Sequence, residues 1–288
     1  MTLVVLGDVM ADVVAAASGP LARGSDTPAR VRFAGGGAGA NVAAWLAALR
    51  APVALVGRVG DDAAGREAVR VLARAGVDVR VEVDAVLPTG CCVVIVEPGG
   101  ERSMLPDPGA NDAPSRMPED LLVAGGHLHV TGYALRRERA RPGALAALAR
   151  ARAAGMTTSL DSSSAALLAP GCFGDLRVDL LRCNRDEATA LTGTDDPDAA
   201  APALLALAGE VVVTLGPGGA LWTDGAARER APAPPADVID TTGAGDAFTA
   251  GLLAARSAGA PPRDALAAGC RAGALAVAGS GARPPARV

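Results

Sequence analysis

Residues 240–248 concentrate groups able to do chemistry: Asp240-Thr241-Thr242-Gly243-Ala244-Gly245-Asp246-Ala247-Phe248. Gly243 and Gly245 leave backbone N–H groups open to an anion. The helix expected to open here, running through Leu252 and Leu253, adds unpaired donors and the positive end of its dipole. Asp246 falls in its first turn, where the dipole favours an ionised carboxylate. Such a carboxylate can accept a proton from a hydroxyl while the N–H groups hold a phosphoryl group in transfer. The bland alternative is a loop followed by a helix-start acid. The coincidence of two glycines, the acid, the helix start and an upstream Asp-Thr-Thr favours chemistry.

Composition excludes several other chemistries. All basic residues among the 27 Lys+Arg are arginine. Without lysine there is no phosphate loop ending in Gly-Lys-Ser/Thr and no Schiff-base attachment of pyridoxal phosphate. The net charge of −4 offers no basic excess for nucleic acid, and six aromatic residues in 288 make a base-stacking platform improbable. Cys91, Cys92, Cys172, Cys183 and Cys270 form no C-x-x-C pair, and adjacent Cys91 and Cys92 point to opposite strand faces. Free thiols imply a reducing compartment, hence the cytoplasm. No run approaches the ~20 apolar residues of a membrane span, and the N-terminal apolar run is only a strand's length.

These groups need a frame, and strand-like and helix-like segments alternate along the chain. Strands are expected at Leu3–Leu6, Val53–Val56, His127–Val130, Thr157–Leu160, Val178–Leu181 and Val211–Leu215. Helices are expected over Ala38–Leu49, over Asp61–Ala75, around Leu145 and Leu148, and after Gly245 and Pro262. In the second, Asp61 is the expected cap, Ala64, Ala68, Leu72 and Ala75 share a face, and Gly76 is the stop. This pattern implies an α/β fold: a mostly parallel sheet covered on both faces, one domain over residues 1–288. Cys92–Val96, the turn Pro98-Gly99-Gly100 and Arg102–Leu105 read as a hairpin. With Val9–Ala16 and Arg30–Phe33 they form an expected antiparallel flap, built from segments near 9–33 and 88–106. Its exposed edges suggest a homodimer through the flap.

Asp240 to Phe248 resembles the C-terminal signature of the ribokinase-like, or PfkB, carbohydrate kinases. Other landmarks of that family follow in order along the whole chain. The resemblance implies a Rossmann-like α/β/α sandwich with a small β-sheet lid. It also implies transfer of phosphate from ATP to a primary alcohol of a small sugar of ribose or fructose type, or of a nucleoside, with Mg²⁺. By resemblance, Asp246 is the base, and Gly243, Ala244 and Gly245 the anion hole. Thr214-Leu215-Gly216-Pro217-Gly218-Gly219 resembles the nucleotide segment, so Thr214, Gly216 and Gly219 are expected at the nucleotide. Cys270 lies in the helix that flanks adenine in relatives. Asn184-Arg185-Asp186-Glu187 resembles the N-x-x-E motif, with Asn184 at the nucleotide and Glu187 reaching Mg²⁺ through water. Taken alone, that motif is a helix cap with an acid.

Gly35-Gly36-Gly37-Ala38-Gly39-Ala40-Asn41 resembles the family's N-terminal signature. With Asp12 it implies that Gly36, Gly37 and Asn41 hold sugar hydroxyls. Asp240 and Thr242, with the carbonyls of Ala276, Gly279 and Gly281, correspond to a monovalent cation loop, so K⁺ is expected. Met10 stands where ribokinases usually carry Asn, Ala38 where they carry Lys, and Gly132 or Tyr133 where they carry an acid. Asp161-Ser162-Ser163-Ser164-Ala165 lacks the arginine of ketodeoxygluconate kinases. An unphosphorylated sugar ranks first and a nucleoside second.

Two rivals come from other classes. Gly35, Gly37, Ala40 and Asp61 loosely fit an NAD-binding fingerprint, but the first strand has no such fingerprint and residues 240–246 go unexplained. A non-catalytic sensor on the same fold is opposed by an intact Asp246. Elsewhere bland readings prevail. His127 and His129 are expected on opposite sides of their strand. Arg136, Arg137, Arg139 and Arg141 are expected to be a solvated helix start. Arg58 and Arg102 are candidates for structural pairing or for a substrate phosphate.

Overall fold

The computed structural model describes residues 2–99 and 101–285; Gly100 of the expected turn lies outside them. The chain runs β1 (Leu3–Leu6), β2 (Met10–Ala17), β3 (Ala29–Gly36), α1 (Ala38–Ala48), β4 (Val53–Gly60), α2 (Ala63–Arg74), β5 (Asp78–Asp84), β6 (Gly90–Val96) and β7 (Arg102–Asp107). It continues with β8 (His127–Thr131), α3 (Gly132–Arg136), α4 (Arg141–Ala153), β9 (Thr157–Asp161), β10 (Val178–Asn184), α5 (Arg185–Thr192), α6 (Pro197–Ala203) and β11 (Ala208–Thr214). It ends with β12 (Ala220–Thr223), β13 (Arg228–Ala231), α7 (Ala244–Ser257) and α8 (Pro262–Val277).

Nine strands form the main sheet in the order β13-β12-β11-β10-β9-β8-β1-β4-β5. β11 through β5 are parallel, and β12 and β13 add an antiparallel edge. Strand alternation divides the core. Leu3 and Val5 pack with α1, α7 and α8 on one face, whereas Val4 and Leu6 pack with α4, α5 and α6 on the other. The parallel strands β1, β8, β9, β10 and β11 all end on one side, at Asp8, Thr131, Asp161, Asn184 and Thr214. Ligands of open α/β sheets bind at such an edge.

A four-stranded sheet, β3-β2-β6-β7, stands beside the main one. The expected antiparallel flap is in fact mixed, because β2 and β6 run parallel. A full βα unit, from α1 to β5, lies between β3 and β6 and brings the chain back in the direction of β2. β5, β12 and β13 were not anticipated, and β3 and β4 run several residues beyond expectation. β5 (Asp-Val-Arg-Val-Glu-Val-Asp) does alternate and was recoverable, whereas β12 and β13 are only four residues each and the extensions of β3 and β4 run through glycine.

Two local expectations fail for register reasons. Asp62, not Asp61, caps α2, accepting from the Gly65 N–H at 2.8 Å. Asp62 also accepts from the Thr89 N–H and hydroxyl at 2.7 Å each, tying the helix start to the approach to β6. His127 and His129, two apart, share one face and both meet the Ser159 hydroxyl, at 2.7 and 2.8 Å. Burial holds both imidazoles far below their ordinary value, to about 3 and about 4, so they are neutral packing groups.

The cap assignment has a direct test. Asp62→Ala removes three hydrogen bonds and should cost about 2 kcal/mol in urea unfolding. Asp61→Ala removes only an exposed ion pair with Arg66 and should cost under about 0.5 kcal/mol. The reverse order would return the cap to Asp61.

Candidate active site

α7 begins immediately after Gly243, which adopts φ 75° as the helix N-cap. A side chain there is excluded twice, by the left-handed backbone and because a Cβ would lie 2.6 Å from Ala282. Gly245 has ordinary backbone angles, but a Cβ there would meet the Arg182 guanidinium at 2.7 Å. The two glycines thus let the C-terminal tail and a buried cation close around the helix start.

Asp246 lies in the first turn of α7 and is half-buried. Asn41, near the start of α1, donates its Nδ2 to Asp246 Oδ2 at 2.8 Å. Burial pushes the Asp246 carboxyl up to about 7, and the Asp161 and Glu187 charges add to the rise. The Asn41 hydrogen bond and Arg182 oppose it. The dipole argument alone anticipates an ionised acid; desolvation and two neighbouring carboxylates outweigh it. The result is a group poised to gain or lose a proton near neutrality.

Arg182 was missed in the sequence. It is buried on β10, with Nη1 on Asp161 Oδ2 at 2.8 Å and Nη2 on Thr214 Oγ1 at 3.1 Å. The signal was available: Arg182 precedes Asn184 by two on a strand and so shares its face. Asn184 and Glu187 form a capping box at the start of α5, and Ser162 Oγ donates to Glu187 Oε2 at 2.7 Å. Burial raises the Glu187 carboxyl above its usual range, against the pull of Arg182.

Beside this cluster lies a cavity of about 570 Å³, lined on one wall by Thr214, Gly216 and Gly219 and on the other by Cys270 and Gly273. Arg182, Ala244 and Gly245 also line it. Gly219, at φ 86°, sits where a Cβ would lie 2.0 Å from the Ala231 carbonyl. The volume suits a nucleotide-sized ligand.

Asp12, from β2, faces the glycine cluster: a Cβ on Gly36 would lie 2.0 Å from Asp12 Oδ1. Burial raises the Asp12 carboxyl, and Arg283 and Arg32 pull it back down. Gly37 has φ 89°, and a Cβ there would lie 2.4 Å from the Asp8 carbonyl. The cluster therefore packs on the β1–β2 loop, which leaves no room at Gly37 for the pyrophosphate of an NAD fingerprint. Arg283 was also missed; it donates to the Gly36 carbonyl at 3.0 Å.

The expected cation loop is assembled, with a difference. Gly281 N–H donates to Asp240 Oδ2 at 3.0 Å, and the Ala276 carbonyl accepts from Gly279 N–H at 3.1 Å. Arg102 reaches in from β7, with Nη1 2.9 Å from Asp240 Oδ1 and 2.6 Å from Thr242 Oγ1. Arg58 is spent on Glu82 and Asp84. Arg137, expected in solvent, instead forms a two-pronged pair with Asp8 at 2.7 and 2.6 Å. Among the described residues no cluster of three or more His, Cys, Asp and Glu is arranged to hold a metal directly.

The profile of the pfkB family carbohydrate kinases matches residues 1–287. The chain belongs to that family. It is 38% identical over 146 residues to an ATP-dependent ribose-1-phosphate kinase of Halopiger xanaduensis, covering 49% of this chain and 47% of that protein. It is 35% identical over 206 residues to a fructokinase of Klebsiella pneumoniae, covering 67% and 63%. The matched segments thus span 47% and 63% of these relatives, less than two thirds of either. Among solved structures, an adenosine kinase from Sinorhizobium meliloti superposes with TM-score 0.87 at 26% identity, covering 98% of this chain and 95% of that one. An Arabidopsis thaliana ribokinase complexed with ribose and ATP superposes with TM-score 0.82 at 28% identity, covering 98% and 95%. The ribokinase-like fold read from the sequence is the fold observed.

Proposed function

We propose that this pfkB-family protein transfers the γ-phosphoryl group of ATP to a primary hydroxyl of a small sugar of ribose or fructose type. The observation that carries this reading is Asp246, at the mouth of the Gly243–Gly245 helix start with its carboxyl near 7 and its orientation held by Asn41. In this reading Asp246 Oδ accepts the hydroxyl proton as that oxygen attacks phosphorus. The N–H groups of residues 243–245 bind the transferring phosphoryl oxygens, and ADP leaves. Thr214, Gly216, Gly219 and Cys270 line the nucleotide cavity. Asp12, Gly36, Gly37 and Asn41 orient the acceptor.

Glu187 and Asn184 fit a water-mediated Mg²⁺, because Asp161, Glu187 and Asp246 together outnumber the single buried cation Arg182. When bound, that ion would shield the charge of the β- and γ-phosphates. The expected K⁺ does not fit the loop as it stands. Arg102 and two backbone N–H groups already occupy the Asp240 carboxylate, so no step is assigned to a monovalent cation.

A nucleoside acceptor is the second reading, favoured by the adenosine kinase likeness and by apolar Met10 and Ala38 near the sugar-binding groups. We place the protein in the cytoplasm, since all five cysteines are unpaired. No helix among the described residues is long and apolar enough to cross a membrane. A homodimer through the small sheet is supported by the apolar groups it presents at both edges, with Phe33 83%, Val31 59% and Leu105 56% exposed.

Four outcomes are expected. Asp246→Asn should lower kcat about a hundredfold or more with ATP affinity nearly intact, as measured by ADP release. The kcat/KM profile should rise through an acid limb near pH 7, and Asn41→Ala, which removes a bond favouring the carboxylate, should move that limb upward. Wild-type turnover by Asp246→Asn would end the base assignment. Rates in NaCl and KCl at equal ionic strength should match; several-fold activation by K⁺ would mean that Arg102 yields the loop. Finally, Phe33→Asp should convert a dimer to a monomer in light scattering, and an unchanged mass would remove the small sheet from the interface.

A further inference from the structure

We propose that the acceptor sugar carries an anionic group, phosphate or carboxylate, and that Arg283 of the C-terminal tail selects it. This rests on the phosphotransfer reading above and adds the charge class of the substrate to it.

Most guanidiniums around the site are already committed. Arg58, Arg102, Arg137 and Arg182 each hold a carboxylate. Arg283 and Arg32 are exceptions, and of the two only Arg283 contacts the groups beside the base: among the described residues no carboxylate oxygen lies within 4.0 Å of it, although the tail carries it to Gly36 and Asn41. Its Nη2 donates to the Gly36 carbonyl at 3.0 Å, and its Nε lies 3.4 Å from Asn41 Oδ1. Nη1 has no hydrogen-bond partner among the described residues. Glycine at position 35 is what admits the group, since a Cβ there would lie 2.1 Å from Nη1.

A half-buried guanidinium with two neutral acceptors is only partly compensated. Burial accordingly pulls Arg283 below its ordinary value, and only the more distant Asp12 charge opposes this. Arg32 of β3 faces the same space and donates to Ser280 Oγ at 3.3 Å. Asp12 faces two cations here, so an anion would complete the balance. A guanidinium offers parallel N–H donors that match phosphate or carboxylate oxygens.

Position supports the assignment. Asn41 donates to Asp246 through Nδ2 and faces Arg283 through Oδ1. The base and the free guanidinium thus flank one amide. A compact sugar with its primary hydroxyl at one end and its anionic substituent at the other would span the two. The bland alternative is that Arg283 only tethers the tail, a task already served by Trp45 Nε1 donating to the Ala282 carbonyl at 3.0 Å.

The test is an acceptor panel with MgATP, scored by ADP release: ribose 1-phosphate, fructose 1-phosphate, 2-keto-3-deoxygluconate, ribose, fructose and adenosine. One anionic sugar should exceed every neutral acceptor at least tenfold in kcat/KM, and the phosphate and carboxylate arms tell the two anions apart. Arg283→Gln should reduce that preference tenfold or more, chiefly through KM, and Arg283→Lys should restore part of it. Without nucleotide, calorimetric binding of the preferred anionic sugar should weaken in parallel in Arg283→Gln. A neutral sugar or nucleoside that wins the panel overturns the inference and leaves phosphotransfer standing. So does an Arg283→Gln loss equal for charged and neutral acceptors, the signature of a tail tether. No ADP release with any acceptor overturns phosphotransfer and this inference together.

Discussion

A guanidinium enclosed beneath a helix start is the constraint on which the site depends. Arg182 has 7% of its surface exposed, and no surface residue can relieve its charge. It is held by Asp161 from β9 and Thr214 from β11, so three adjacent strand ends are fixed by one planar group. Removing either side would strand an uncompensated charge, which costs several kcal/mol. The same group favours glycine at 245, because its Nη2 lies 2.7 Å from where a Cβ would be. It also moderates the carboxylates around it. Without Arg182, Asp161 and Glu187 would drive the Asp246 carboxyl further above its ordinary range.

A second junction joins the chain's two ends. Ala282 fits against Gly243 on one side, and its carbonyl accepts from Trp45 on the other. Asn41, one helical turn before Trp45, is aimed at Asp246. The orientation of Asp246, the proposed base, therefore depends on α1, α7 and the tail seating together. The small sheet enters the same assembly through Arg102, which carries β7 onto Asp240. Arg102 thereby ties the small sheet to the loop before α7, and among the described residues the small sheet's own buried apolar cluster is Met10, Cys92 and Val94.

How much was legible depended on whether a signal was local. The segment at 240–246 was legible because a helix start, two glycines and an acid obey local rules, and the structure assembles them as expected. The parallel sheet was legible for the same reason, since buried strands such as Leu3–Leu6 are continuous apolar runs. The α2 cap slipped by one because Asp61 and Asp62 are adjacent and chemically identical, and only the distant Thr89 distinguishes them. The mixed small sheet and the Arg137–Asp8 pair were illegible because their partners lie far apart in sequence, 129 residues apart in the second case. Arg182 was recoverable from strand periodicity. Arg283 was not, since a proline-flanked arginine near a chain end has no local pattern to mark it.

The absence of lysine bears on all of this. Every side-chain ion pair among the described residues is made by a flat, always charged fork able to hold two partners at once. Arg182 and Arg102 each use that property to join elements, and Arg137 uses it to grip both oxygens of Asp8. A lysine ammonium could neutralise one carboxylate in each place but could not hold the same geometry with neighbours on both sides. A chain restricted to arginine thus builds a site whose charges are also its struts. Charge and position are then fixed together: Asp246, the proposed base, is held by the neutral amide of Asn41, while the paired acids Asp8, Asp161 and Asp240 are held by arginine. A neutral donor leaves Asp246 free to take a proton, because no adjacent fixed cation has to be left unpaired when it does.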